Sequence, residues 1–179
     1  MPTFNYPNGF DRRHCDLVEE HRINRRRVLF AENLAKLKAI AVRLEVENSE
    51  AEKYSQETWA LRIQRDDKPC GPDVWIVLRT DFNKDLHERT FVRLRRRNLA
   101  PPEKLACGRE RSLLFAFLLL HEVGHHKLCH AAPRSSAEYE FQEREADLFA
   151  FGQLEGKWQL FSAQRDNSGN FLQGHFEPL

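Results

Sequence analysis

The chain has 179 residues, 41% hydrophobic and 31% charged, with a formal net charge of +1 at pH 7. That length and balance suit a globular domain with a proper core and exclude a disordered or low-complexity chain. The near-neutral charge gives no global pull toward nucleic acid or an anionic membrane, and the longest apolar run, Leu113 to Leu120, is far shorter than the roughly 20 residues needed to cross a bilayer.

In chain order, residues 1–22 mix Pro, Asn, Gly and charge and read as an N-terminal arm, loosely ordered or carrying a short helix near Asp16–His21. A single domain is expected over 23–179. The start shows no basic stretch followed by an apolar one, so no secretory leader is read from it. From Ile23 to Glu47 the pattern is helical: Phe30, Leu34, Leu37, Ala41 and Leu44 recur at spacings of three and four, which predicts one long first helix. Thr58–Arg65 and Asp73–Thr80 alternate and flank a stretch dense in turn formers, so they predict an antiparallel hairpin. Trp59, Leu61 and Ile63 are expected on one face, Arg62 and Gln64 on the other, and Trp59 and Trp75 are read as packing residues. Thr90–Arg95 is a candidate third strand. Arg25–Arg27 and Arg93–Arg97 are local basic patches, read as solvated element faces. Direct nucleic-acid binding is therefore not expected. The four cysteines, Cys15, Cys70, Cys107 and Cys129, are scattered without a CxxC pair and read as reduced thiols of a cytoplasmic protein.

The informative stretch is Leu118–His130, LLLHEVGHHKLCH, on a helix expected from Arg109 to about Cys129. Its first half is apolar all round and must be buried on every side, which would hold the residues after it rigidly. His121, Glu122 and His125 form HExxH. Four residues overshoot one helical turn by only about 40°, so both imidazoles can close on one Zn²⁺ while Glu122 reaches a water bound to it. Gly124, between the two His, leaves room for another segment to approach.

Pro133 ends that helix. Ser135 and Glu138 form a capping box, so a new helix should run from there to about Leu154. A catalytic zinc site wants three protein ligands and an open position. Glu143 and Asp147 lie four apart on a face shared with Ala146 and Ala150, whose small side chains suit close packing on the zinc helix. Glu143 is therefore the expected third ligand, with Asp147 accepting from a ligand His N–H; Glu145, about 160° away, should face elsewhere. His126 points away. His130 and Cys129 remain rivals that would complete a closed, structural site.

HEVGH followed by EREADLFA (Glu143–Ala150) resembles the ImmA/IrrE family of metallopeptidases, in which HExxH precedes a helix of the form ExxA(N/D)xFA. The wider gluzincin group shares the E-x-x-x-D element matched by Glu143 and Asp147. The resemblance covers Leu113–Phe151 closely and Ile23–Thr80 only as helix plus small sheet. It implies an α+β, zincin-like domain and a zinc-dependent endopeptidase with His121, His125 and Glu143 as ligands and Glu122 as general base. It also implies a protein or peptide substrate, such as a transcriptional repressor, in a cytoplasmic setting. The chain departs from the pattern after the FA pair, where FGQLEGKWQLF stands in place of a Leu-Leu-x-Pro-like segment. The alternative is a non-catalytic zinc-containing regulator that binds a transcription factor or nucleic acid.

Overall fold

A computed structural model of the chain describes residues 5–44, 54–83, 86 and 111–157, the side chains of 155–157 excepted. Its elements are α1 (Arg12–Glu20), a 3-10 turn (Arg25–Arg27), β1 (Val28–Ala31), α2 (Leu34–Arg43), β2 (Ala60–Gln64), β3 (Val74–Arg79), α3 (Arg111–Lys127) and α4 (Ser136–Lys157). The three strands form a mixed sheet in the order β1-β3-β2, β1 parallel and β2 antiparallel to β3. The architecture is α+β.

The expected hairpin is present. The expected long helix over Ile23–Glu47 is not: that stretch is a 3-10 turn, a strand and a ten-residue helix. Two asparagines interrupt it. Asn24 accepts from the Arg26 N–H and Asn33 caps α2 by accepting from the Lys36 N–H. Between them Val28-Leu29-Phe30-Ala31 is an apolar run that gains more by joining the sheet, where it pairs with Ile76–Arg79. The helical spacing of Phe30 with Leu37 and Ala41 misleads, since Phe30 lies in one core and the other two in the core on the opposite side of the sheet.

Strand alternation explains that division. Leu29, Ala31, Leu61, Ile63, Trp75 and Val77 face α2, while Val28, Phe30, Val74, Ile76 and Leu78 face the core that α1 and α3 share. Trp59 belongs to the second group rather than with Leu61 and Ile63, because it precedes β2 and packs under the Arg79 guanidinium, 4.0 Å from the ring centroid. The candidate strand Thr90–Arg95, the patch Arg93–Arg97, Cys107 and the tail after Lys157 lie outside the described residues.

Of the N-terminal segment, residues 5–22 are described, and they carry the short helix. The helix expected at Asp16–His21 runs Arg12–Glu20, capped by Asp11, and buries Cys15, Leu17 and Val18. His14, wholly buried, fastens it to α3: the Asp11 N–H donates to Nδ1 and Nε2 donates to the Ser112 carbonyl. Every residue from Leu113 to Leu120 is buried, as the all-round apolar pattern requires. The sheet and α1 cover part of the helix, and Ala150 and Leu154 of α4 close over Leu113, Phe117 and Leu120.

Gly124 is where α4 comes closest. A Cβ there would stand 3.2 Å from Ala146 Cα and 3.2 Å from Phe149 Cβ. We expect Gly124→Val to destabilise the chain by about 1–3 kcal/mol through overpacking. A thermal unfolding midpoint at or above that of wild type would show that the helices tolerate separation here.

Candidate metal centre

His121 and His125 leave α3 one turn apart, just past its fully buried half. Glu143 comes from the second turn of α4, whose start is set as expected: Ser135 Oγ accepts from the Glu138 N–H, and Glu138 Oε2 accepts from the Arg134 N–H. Three donors converge. His121 Nε2 and His125 Nε2 are 3.1 Å apart; Glu143 Oε2 is 3.4 Å from the first and Glu143 Oε1 3.1 Å from the second. A tetrahedral cation with bonds of about 2.0 Å has ligand atoms about 3.3 Å apart. These contacts are of that order, each histidine meeting a different Glu143 oxygen, and the three residues together could hold a small divalent metal.

The outward ring nitrogens are also engaged. Asp147, fully buried, stands with Oδ1 2.8 Å from His121 Nδ1. A carboxylate only accepts, so His121 carries its proton on Nδ1 and presents the Nε2 lone pair to the metal position. This is the role expected of Asp147.

Burial alone would push His121 down, but the Asp147 and Glu143 carboxylates outweigh it and lift the imidazole to about 10. Burial likewise acts to raise Glu143, and the hydrogen bonds from His121 and His125 override it, holding the carboxyl well below its ordinary range. In the metal-free chain a proton on His121 therefore stands in for the cation. The raised value stabilises that fold below the ordinary histidine pKa of about 6.5, and the gain fades as pH rises through about 10. A metal must displace this proton, so its apparent affinity should rise about tenfold per pH unit from pH 7 to 9. Chelator competition across that range checks the slope; a flat profile would mean that His121 is already unprotonated.

Glu122 is buried on α3 between the two histidines and forms no hydrogen bond with another side chain among the described residues. It is the one acid of the HExxH motif outside the donor triangle.

Several contacts around the centre were not foreseen. α3 ends at Lys127, and Cys129 takes a left-handed backbone (φ 54°). The Cys129 N–H donates to the His126 carbonyl and the His130 N–H to the His125 carbonyl, a Schellman turn with a cysteine where glycine is usual. Arg62 of β2 clamps that turn, its guanidinium donating to the carbonyls of His125 (2.9 Å), His130 (2.6 Å) and Pro69 (3.1 Å). Gln64 Oε1 lies 3.2 Å from His126 Nδ1. The polar face of β2 is thus turned to α3 instead of solvent.

Cys129 is bonded to Cys70 in a disulfide that ties the turn to the β2–β3 connection, with Cα atoms 4.7 Å apart. The expectation of reduced thiols is corrected here. Disulfides persist in oxidising compartments and act as redox sensors in reducing ones, so a cytoplasmic setting no longer follows from the cysteines. Cys15 is free and buried.

Cys129 and His130 are accordingly removed as ligands. His130 instead lies with Nδ1 2.8 Å from His125 Nδ1 and Nε2 3.0 Å from Glu145 Oε2. Glu145 faces away from the metal position, as its helical angle requires, yet it is reached because the turn carries His130 round the end of α3. No turn-forming residue stands between His125 and His130, so the sequence carried no local signal for this pair.

The fold and site define an α+β protein with a three-donor candidate metal centre on an HExxH helix and the helix that follows it. No known family model, curated protein or solved structure matches the chain. Among the described residues, no helix is long and apolar enough to cross a membrane.

Proposed function

We propose that the chain is a zinc-dependent peptidase, and that His121, His125 and Glu143 hold the metal in a zincin-like domain. The observation that carries the reading is the convergence of His121 Nε2, His125 Nε2 and the Glu143 carboxylate, with Glu122 of the same α3 turn outside that group. Two imidazoles and one carboxylate suit zinc, and a three-ligand shell leaves a fourth position for water or substrate. No fourth protein ligand completes that shell among the described residues, since Cys129 and His130 are engaged elsewhere.

His121, His125 and Glu143 would hold the zinc, whose chemistry when bound would be to acidify a water and polarise a carbonyl. Glu122 would accept a proton from that water and return it to the leaving amine. Asp147 keeps the His121 lone pair directed inward throughout. β2, an edge among the described strands and the strand that clamps α3 through Arg62, offers main-chain groups on which an extended peptide could be aligned. The likeness of HEVGH and EREADLFA to the ImmA/IrrE family extends the proposal to a regulatory peptidase with a repressor-like protein substrate.

The test is elemental analysis of the purified chain with hydrolysis of an unstructured protein such as reduced casein. One zinc per chain and cleavage that a chelator stops and added zinc restores are expected. Chelator-insensitive cleavage, or an absence of zinc, would sink the reading.

A further inference from the structure

The two histidines of the centre are oriented differently. At Nδ1, His121 meets a carboxylate directly, whereas His125 meets one through a second imidazole. Glu145 Oε2 can only accept, so His130 Nε2 donates to it. Neutral His130 then has a lone pair on Nδ1, and the 2.8 Å contact to His125 Nδ1 requires that atom to carry the proton. His125 is left with its lone pair on Nε2, the atom that faces His121 Nε2 and Glu143.

His130 is held for this task from three sides. The Schellman turn folds its backbone over His125, the Arg62 guanidinium grips its carbonyl, and the disulfide to Cys70 anchors the residue before it. Its ring is buried, while Glu145 is 37% exposed on its side chain.

We propose that His130 and Glu145 are positioning residues for the metal centre, His130 holding His125 in the tautomer and orientation that present Nε2 to the cation, and Glu145 fixing His130 in turn. The inference rests on the metal reading and is independent of whether the centre hydrolyses peptides.

Zinc affinity of the full chain, measured by competition with a chromophoric chelator, tests it. His130→Leu should weaken zinc binding about 10- to 100-fold, the usual cost of losing an orienting partner. His130→Asn should recover most of that loss, because its amide oxygen can accept where Nδ1 did. Glu145→Leu, at a partly exposed helix position, keeps the question open to refutation if His130→Leu fails to fold, and should weaken binding several-fold. Long-range ¹⁵N–¹H correlations of the zinc-loaded wild type should place the His125 proton on Nδ1 and the His130 proton on Nε2. Affinity within about twofold of wild type in both leucine variants would overturn the proposal. So would equal losses in His130→Leu and His130→Asn, which would assign His130 to packing alone. Absence of zinc from the wild type would remove the metal reading and this inference together, whereas zinc binding without peptide hydrolysis would leave the inference standing.

Discussion

Glu122→Gln is expected to keep one zinc per chain and to lose peptide hydrolysis by about 10²–10⁴-fold, the usual contribution of a general base. The split follows from geometry. The Glu122 carboxylate is not one of the three atoms that form the metal triangle, so the amide removes no ligand. Gln matches Glu in shape, which spares the packing of α3 around this buried position. It has no basic oxygen to take a proton from water. Glu143→Ala should behave in the opposite sense: it deletes one corner of the triangle and leaves His121 and His125 without the carboxylate that both contact. Zinc should then be largely absent at neutral pH. Side-by-side zinc contents and initial rates read both variants. Zinc loss in Glu122→Gln would place this residue in the ligand shell, and full zinc in Glu143→Ala would remove Glu143 from it.

Breaking the disulfide by Cys129→Ser should lower stability by up to about 4 kcal/mol, because the bond closes a loop across a separation of 59 residues in the unfolded chain. Serine also leaves the left-handed conformation at 129 without its covalent anchor, and a non-glycine residue there costs about 1–2 kcal/mol. Arg62 and the Schellman bonds remain, so α3 should keep its end and only its margin of stability should fall. Urea unfolding under non-reducing conditions checks the size. Cys70→Ser should match it, and wild type under reductant should approach both. An unchanged midpoint in both variants would show that the bond is not formed in solution.

The local chemistry of the site was legible because it depends on short spacings within single helices. His121 and His125 share a face of α3 by helical geometry alone, and Glu143 and Asp147 share a face of α4 with Ala146 and Ala150. Gly124 announced the close approach of the two helices before either was placed. The all-apolar run Leu113–Leu120 likewise required a helix covered on every side.

What only the tertiary structure decided depends on contacts between residues far apart in the chain. Val28–Ala31 became a strand because β3 offered it a partner, a competition that helical spacing does not register. Cys70 and Cys129 pair because the β2–β3 connection reaches the end of α3, and no residue spacing predicts that meeting. Arg62 reads as the polar face of a hairpin until α3 supplies carbonyls to clamp. His130 reads as a rival ligand until the turn at Cys129 aims it at His125 and Glu145. The sequence by itself put His121 and His125 on one face, because one helix turn brings them within reach of each other, whereas Glu143 joins them only through the packing of α4 on α3. Which groups hold the donors in their tautomers was settled by chain folding over long separations, where hydrogen-bond partners are chosen by position in space.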